Sequence, residues 1–151
     1  MNINDFLSLG NVIHGLHASD KAALLRDLAR HAAKALDISV DRIASELLKR
    51  EELGSTGTGG GVAIPHARLL EVKKPFGMLA HLDKAIAFSS IDGQPVDVVF
   101  LLLLPLAPAG EQLTALASVA RKLRNSNSIN FLRQAVNRAE LYAEMTRELR
   151  K

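Results

Sequence analysis

Val98-Val99-Phe100-Leu101-Leu102-Leu103-Leu104 is the longest apolar run in the chain, and Pro105 closes it. It is far too short to cross a bilayer, which takes about 20 apolar residues. Its length and its β-branched start predict a strand buried on both faces. With Val96 and Asp97 in front of it, the strand runs from 96 to 104 and is expected at the centre of a sheet. Just upstream, Ile91-Asp92-Gly93-Gln94 reads as a turn. Before that, Gly77 to Ala87 reads as a second strand, with Met78, Ala80 and Leu82 on one side.

Further upstream the periodicity changes to that of helices. Leu24, Leu25, Leu28, Ala32, Ala35 and Leu36 give one apolar face to a helix from about Asp20 to Leu36, with Ser19 or Asp20 as N-cap. A second helix follows Ser39, carries Ile43, Leu47 and Leu48 on its core side, and ends near Leu53 with Gly54 beyond it. Downstream of the loop Pro105-Leu106-Ala107-Pro108-Ala109-Gly110 only helices are expected. Leu113, Leu116, Ala117, Ala120 and Leu123 mark one. Ile129, Phe131, Leu132, Ala135 and Val136 mark a shorter second, and Leu141, Tyr142, Met145 and Leu149 a last. Asn137 with Glu140 resembles a capping box before the last helix. Helices, then strands, then helices predict an α/β sandwich, a mixed central β-sheet flanked by helices in a single domain over residues 1–151.

Composition narrows the chemistry. Apolar residues are 48% of the chain, but there is no Trp and only one Tyr and five Phe, so the core must be aliphatic. The absence of cysteine excludes disulfides, thiolate metal sites and a cysteine nucleophile. Met1-Asn2-Ile3-Asn4-Asp5 has neither the basic nor the apolar stretch of a signal peptide, so a soluble, cytoplasmic protein without membrane insertion is expected. The formal charge of +3 is a mild excess. Its bases lean to the C-terminal third, at Arg121, Lys122, Arg124, Arg133, Arg138, Arg147, Arg150 and Lys151, but Glu140, Glu144 and Glu148 are interleaved with the last of them. That pattern is a solvated helix face rather than the concentrated basic stripe of a nucleic-acid binder.

Between the second helix and the strands lies Gly54-Ser55-Thr56-Gly57-Thr58-Gly59-Gly60-Gly61, which no helix or long strand survives. Val62-Ala63-Ile64 follows as a short strand stopped by Pro65. The glycines are not a P-loop: Gly54 and Gly59 have the spacing, but Gly60 stands where lysine is required and a strand follows instead of a helix. Nor are they a dinucleotide fingerprint, since Val62 stands at the third glycine position after Gly57 and Gly59. His14, His17, His31, His66 and His81 form no zinc-spaced pair with carboxylates, and no metal or cofactor is expected. His66 differs from the rest by its context. It follows a proline at a strand end, with Arg50 and Arg68 on either side in sequence and hydroxyls at Ser55, Thr56 and Thr58. Imidazole, guanidinium and backbone amides together suit a phosphate-sized anion. On these residues alone, a functional and a structural His66 are equally good readings.

Arg50-Glu51-Glu52-Leu53-Gly54-Ser55-Thr56-Gly57, followed by Gly59-x-Gly61-x-Ala63-Ile64-Pro65-His66, resembles the enzyme IIA family of the bacterial phosphotransferase system, in its fructose/mannitol/nitrogen-regulatory branch. The resemblance extends over nearly the whole chain. It implies a phosphoryl relay in which His66 accepts a phosphoryl group on Nε2 from an HPr-like phosphocarrier, Arg50 stabilises the phosphoryl oxygens, and Ser55, Thr56 and the loop amides cradle them. A neutral imidazole is a competent nucleophile near pH 7 when its other nitrogen is fixed by a hydrogen bond. In a loose phosphoryl transition state, positioning and donors matter more than acid/base work. Two departures stand out. Gln112 occupies the place where family members often carry a second histidine, and could donate to a phosphate but add no charge. Gly60 stands where relatives often carry a larger polar residue.

Three roles follow from the resemblance. One is a nitrogen-type regulator whose phosphorylation state controls partner binding; potassium transport proteins, sensor kinases and metabolic enzymes are candidate targets, and no residue selects among them. The second is a fructose- or mannitol-type IIA that passes phosphate to a IIB domain. The third is a non-catalytic interaction domain of the same fold. The Leu53-Gly54-Ser55-Thr56-Gly57 run and the lack of fused IIB, IIC or HPr-like segments favour the first; intact His66 and Arg50 disfavour the third. The oligomeric state is left open.

Overall fold

In the computed structural model the apolar run is the central strand of a six-stranded mixed sheet. The structure describes residues 2–106 and 109–149. Ala107 and Pro108 of the expected loop, and Arg150 and Lys151 of the basic C-terminal run, lie outside the described residues. The elements in chain order are β1 (Val12–Leu16), α1 (Lys21–Leu36), α2 (Val40–Glu52), β2 (Gly57–Gly59), β3 (Val62–Ala63), β4 (His66–Arg68), β5 (Phe76–Ile86), β6 (Val96–Leu104), α3 (Ala109–Arg124), α4 (Ser126–Gln134) and α5 (Arg138–Thr146). Strand order is β1-β5-β6-β3-β2, with β4 also paired to β6.

Strand β6 has no polar face because both of its faces are covered. Val99, Leu101 and Leu103 join Met78, Ala80 and Leu82 of β5 under α1 and α2. Val98, Phe100, Leu102 and Leu104 join Leu79 under the helices of the C-terminal third. Successive side chains of a strand point to opposite faces, so a run of seven apolar residues fills two cores at once. The result is an α/β sandwich with helices on either side of a mixed sheet, as the element order predicts.

The helices follow their caps. Asp20 accepts from Ala23 N at 2.8 Å and Ser39 from Arg42 N at 3.4 Å. Asn137 accepts from Glu140 N, but Glu140 reaches back to Val136 N instead of Asn137 N, so the capping box is only half formed. The last helix ends at Thr146, short of Leu149.

Three strands were not expected: β1, β4 and the short β2, which pairs antiparallel to β3 inside the glycine-rich stretch. The chain opens with β1, which pairs parallel to β5 at the sheet edge, so the first element of regular length is a strand and not a helix. His66 is also not a residue beyond a strand end: it begins β4, which pairs parallel to β6 through His66↔Leu102, Ala67↔Leu103 and Arg68↔Leu104. Strands β3 and β4 run along the same edge of β6, and Ile64-Pro65 interrupts them. Pro65 contributes no donor but its carbonyl accepts from Leu102 N at 2.9 Å. Ile64 instead turns its N–H away from β6, to Thr56 O at 3.0 Å.

Among the described residues no helix is long and apolar enough to cross a membrane. Several bases of the C-terminal third are already engaged. Lys122 is buried and paired with Glu144, Arg147 pairs with the same carboxylate, and Arg133 pairs with Asp97.

Candidate functional site

The interruption at Ile64-Pro65 places the His66 ring between two partners with fixed roles. Nδ1 lies 2.8 Å from the carbonyl oxygen of Ile64, and Nε2 lies 3.3 Å from Nε of Arg50. A carbonyl can only accept and a guanidinium can only donate. The proton of the neutral ring is therefore on Nδ1, and the lone pair is on Nε2. The ring is half-buried, and its pKa is held below the ordinary imidazole value. Burial is the largest cause; the nearby Arg50 and Arg68 charges add to it, while the Ile64 hydrogen bond and Glu51 oppose it. His66 is thus a neutral imidazole presenting Nε2 toward a guanidinium.

Arg50 comes from the last turn of α2, where a basic residue suits the helix dipole. Its Nη1 donates to Gly54 O at 2.8 Å, so the side chain is anchored at the start of the glycine loop while its Nε faces the ring. Arg50 and His66 are brought together as the sequence suggests.

The other expected phosphate contacts are occupied elsewhere. Ser55 Oγ donates to Phe88 O at 2.7 Å and accepts from Gly57 N at 3.0 Å. Thr56 is 4% exposed. Its hydroxyl donates to Glu51 Oε1, and its N–H to Glu51 Oε2 at 3.1 Å. Gln112 is 3% exposed; its Nε2 donates to the carbonyl of Pro105, while its Oε1 is buried without a partner. None of the three hydrogen-bonds to His66 or Arg50 among the described residues.

The glycine loop is held by its backbone. Gly60 N donates to Asp92 Oδ2 at 2.9 Å, and Gly60 O accepts from Arg133 Nη2 at 2.5 Å. Arg133 also grips Asp97 through Nε and Nη2, at 3.0–3.2 Å. Gly61 has a positive φ of 80°, and a Cβ there would lie 2.4 Å from Arg133 Nη2. The positive φ favours glycine there, and a methyl group would displace the Arg133 guanidinium.

The remaining histidines lie apart from this site. His14 and His81 are paired across β1 and β5, with their rings stacked at 5.5 Å, and His14 Nε2 donates to Ala135 O at 2.9 Å. Among the described residues no three His, Cys, Asp or Glu side chains are grouped to hold a metal ion.

Sequence reasoning singled out His66 and Arg50 but passed over Glu51, whose carboxylate, 7% exposed, takes both donors of Thr56 and the ammonium of Lys21 at 2.6 Å. A signal was present. An acid in the last turn of a helix, beside Lys49 and Arg50, stands against the dipole and needs a reason.

Comparison with known proteins places the chain in a family. Residues 5–148 match the family described as "Phosphoenolpyruvate-dependent sugar phosphotransferase system, EIIA 2". The chain is 40% identical to a nitrogen regulatory protein of Bradyrhizobium diazoefficiens over 143 residues, covering 95% of this chain and 94% of that one. It is 36% identical to a nitrogen regulatory protein of Klebsiella oxytoca over 153 aligned residues, covering 97% and 94%. Its fold superposes on the crystal structure of the nitrogen regulatory protein IIA-Ntr from Neisseria meningitidis with a TM-score of 0.91 at 30% identity, covering 95% of this chain and 99% of that one.

Proposed function

This chain belongs to the EIIA 2 family of the phosphoenolpyruvate-dependent sugar phosphotransferase system, and on that premise we propose that it is a cytoplasmic, single-domain regulatory phosphocarrier of the nitrogen type. It accepts a phosphoryl group on His66 from an HPr-like phosphocarrier, and the phosphorylation state controls which proteins it binds. The observation that carries this reading is the fixed ring of His66, with Nδ1–H on Ile64 O and the Nε2 lone pair facing Arg50.

The step balances without a cofactor. The Nε2 lone pair attacks phosphorus, the P–N bond of the phosphorylated donor breaks, and its electron pair stays on the donor's imidazole. Nδ1 keeps its proton while Nε2 attacks; the resulting phospho-imidazolium then releases a proton to solvent as the donor's departing ring takes one up, leaving a neutral ring that carries a phosphoryl dianion. Arg50 moves its charge from the lone pair to the phosphoryl oxygens, where a planar, permanently charged donor is best suited. The amides of Thr56, Gly57 and Gly60 and the hydroxyls of Ser55 and Thr56 become phosphate donors only by giving up their present partners.

Phosphorylation adds about two negative charges to a neutral ring. Leu53 is 85% and Ile91 88% exposed. Leu53 directly precedes the glycine loop, and Ile91 is bonded to it through Gly57 O. A charge appearing beside such apolar side chains changes which surfaces can dock. Potassium transport proteins and sensor kinases are the target classes this reading puts forward.

The test is incubation with phosphoenolpyruvate, enzyme I and an HPr-type carrier, read by intact mass and native-gel mobility at neutral to alkaline pH. One acid-labile phosphoryl adduct, lost in His66→Ala, supports the reading; no adduct from any carrier defeats it. Rapid transfer of the label to a fructose or mannitol IIB domain would assign the chain to sugar uptake instead.

A further inference from the structure

We infer that Glu51 is a positioning residue for His66: with Lys21 as its counter-charge it holds Thr56, and through Thr56 and Ile64 it fixes which ring nitrogen is free to react. The transfer arm of this inference rests on the phosphocarrier reading above; the ring arm does not.

The starting point is an acid in an unfavourable place. Glu51 lies in the last turn of α2, at the negative end of the helix dipole, and its side chain is 7% exposed. A desolvated carboxylate there is costly unless donors surround it. Three do. Lys21 Nζ, from the first turn of α1, is 2.6 Å from Oε2. Thr56 N is 3.1 Å from the same oxygen, and the Thr56 hydroxyl donates to Oε1. The consequence is that both donors of Thr56, in an otherwise glycine-rich loop, are bound to a rigid helix end.

The effect continues to the ring. Thr56 O accepts the N–H of Ile64 at 3.0 Å, and Ile64 O accepts Nδ1–H of His66 at 2.8 Å. Ile64 is the residue between β3 and β4 whose N–H bonds Thr56 and not β6, so Thr56 fixes the backbone of Ile64 at its N–H, one residue step before the carbonyl that meets the ring. The links run from Lys21 to Glu51, to Thr56, to Ile64, to His66. Lys21 also donates to Phe88 O at 3.2 Å, the carbonyl that receives the Ser55 hydroxyl, so the same ammonium braces Ser55 and Thr56 alike.

Consecutive residues of one helical turn therefore govern the two nitrogens of one imidazole. Arg50 meets Nε2 directly, and Glu51 governs Nδ1 through the backbones of Thr56 and Ile64. If Thr56 is released, the Ile64 carbonyl loses its fixed direction, and the ring gains access to the tautomer with its proton on Nε2, which cannot attack phosphorus.

The experiment uses the full chain and two readouts on Glu51→Ala, Glu51→Gln and Thr56→Val. The first is the ¹⁵N spectrum of the His66 ring at neutral pH, which reports the tautomer directly. The second is the rate of acid-labile adduct formation. Expected are a ring locked with its proton on Nδ1 in the wild type, a tautomer mixture in Glu51→Ala with a rate lower by about tenfold to a hundredfold, and partial rescue in Glu51→Gln, which keeps an acceptor for Thr56 N. Thr56→Val keeps the backbone bond and should lie near Glu51→Gln. A wild-type ring spectrum in Glu51→Ala overturns the inference, even where the rate falls. Should Glu51→Ala not fold, as judged by circular dichroism, an unchanged ring in both Glu51→Gln and Thr56→Val overturns it. Should the wild type accept no phosphoryl group, the phosphocarrier reading fails, and the ring spectra still decide this inference.

Discussion

Nδ1–H of His66 donates to the carbonyl oxygen of Ile64 at 2.8 Å, across the break where Pro65 separates two short strands. That bond puts the lone pair of the ring on Nε2. The N–H of Ile64, the residue before the proline, bonds Thr56 O beside the β2–β3 pairing instead of β6. The site is therefore a product of a strand interruption as much as of the residues that flank it.

The first prediction concerns protonation. Burial, followed by the charges of Arg50 and Arg68, lowers the pKa of His66. Its ring should titrate below the ordinary value of about 6.5 when followed by NMR. The sign for stability follows. Between the lowered folded value and about 6.5 the unfolded chain binds more protons, so stability rises with pH through that window. This contribution is complete above about 6.5 and is lost as pH falls through the folded value. A midpoint at or above 6.5 would contradict the desolvation account.

Arg50 should matter to the ring before any phosphoryl group arrives. Arg50→Ala removes a positive charge that disfavours the imidazolium, so the His66 midpoint should move up. It also removes the planar donor for the phosphoryl oxygens, and phosphoryl acceptance should fall about a hundredfold. Arg50→Lys restores the charge but not the fork, so the titration should recover more than the rate. Equal recovery of both would show that Arg50 acts as a charge alone.

How far the sequence anticipates this arrangement depends on the range of the interactions involved. The central strand and the helix caps are legible because they are local: Val98 to Leu104 is uninterrupted, and Asp20, Ser39 and Asn137 each cap the helix that immediately follows. Strand β1 is not, since Val12-Ile13-His14-Gly15-Leu16 is a short edge segment with a histidine and a glycine in place of a clean alternation. Strand β4 hides behind Pro65 and is only His66-Ala67-Arg68. At the site, Arg50 and His66 are legible from residue type and motif. The partners of Ser55 and Thr56 are not, because Phe88 O and the Glu51 carboxylate reach them only through tertiary packing. The hydroxyl type alone does not say which acceptor it will find.

The backbone clamp on the glycine loop should show in stability. Gly61→Ala must place a methyl group 2.4 Å from Arg133 Nη2 at a φ of 80°. A loss of about 1–3 kcal/mol in chemical denaturation is expected. Arg133→Met leaves Gly60 O and the Asp97 carboxylate without their donor and should cost about 1–2 kcal/mol. Because both changes break the same contact, the double variant should lose less than the sum of the two. Strict additivity would mean that Gly61 and Arg133 do not act through one clamp.

Gln112 separates a structural amide from a phosphate ligand. Its Nε2 donates to Pro105 O just after β6, and its Oε1 is buried with no partner. Gln112→Ala should cost about 1–3 kcal/mol, because the Pro105 carbonyl is left without its donor. Gln112→His tests the second role. An imidazole there can carry a charge that an amide cannot, and if this position meets the phosphoryl group, the rate of adduct formation or the lifetime of phospho-His66 should change. The two measurements resolve the roles: a stability loss in Gln112→Ala with unaltered transfer and lifetime in Gln112→His would confine Gln112 to holding the turn after β6. Altered phospho-His66 lifetime in Gln112→His at unchanged stability would place residue 112 beside the phosphoryl group.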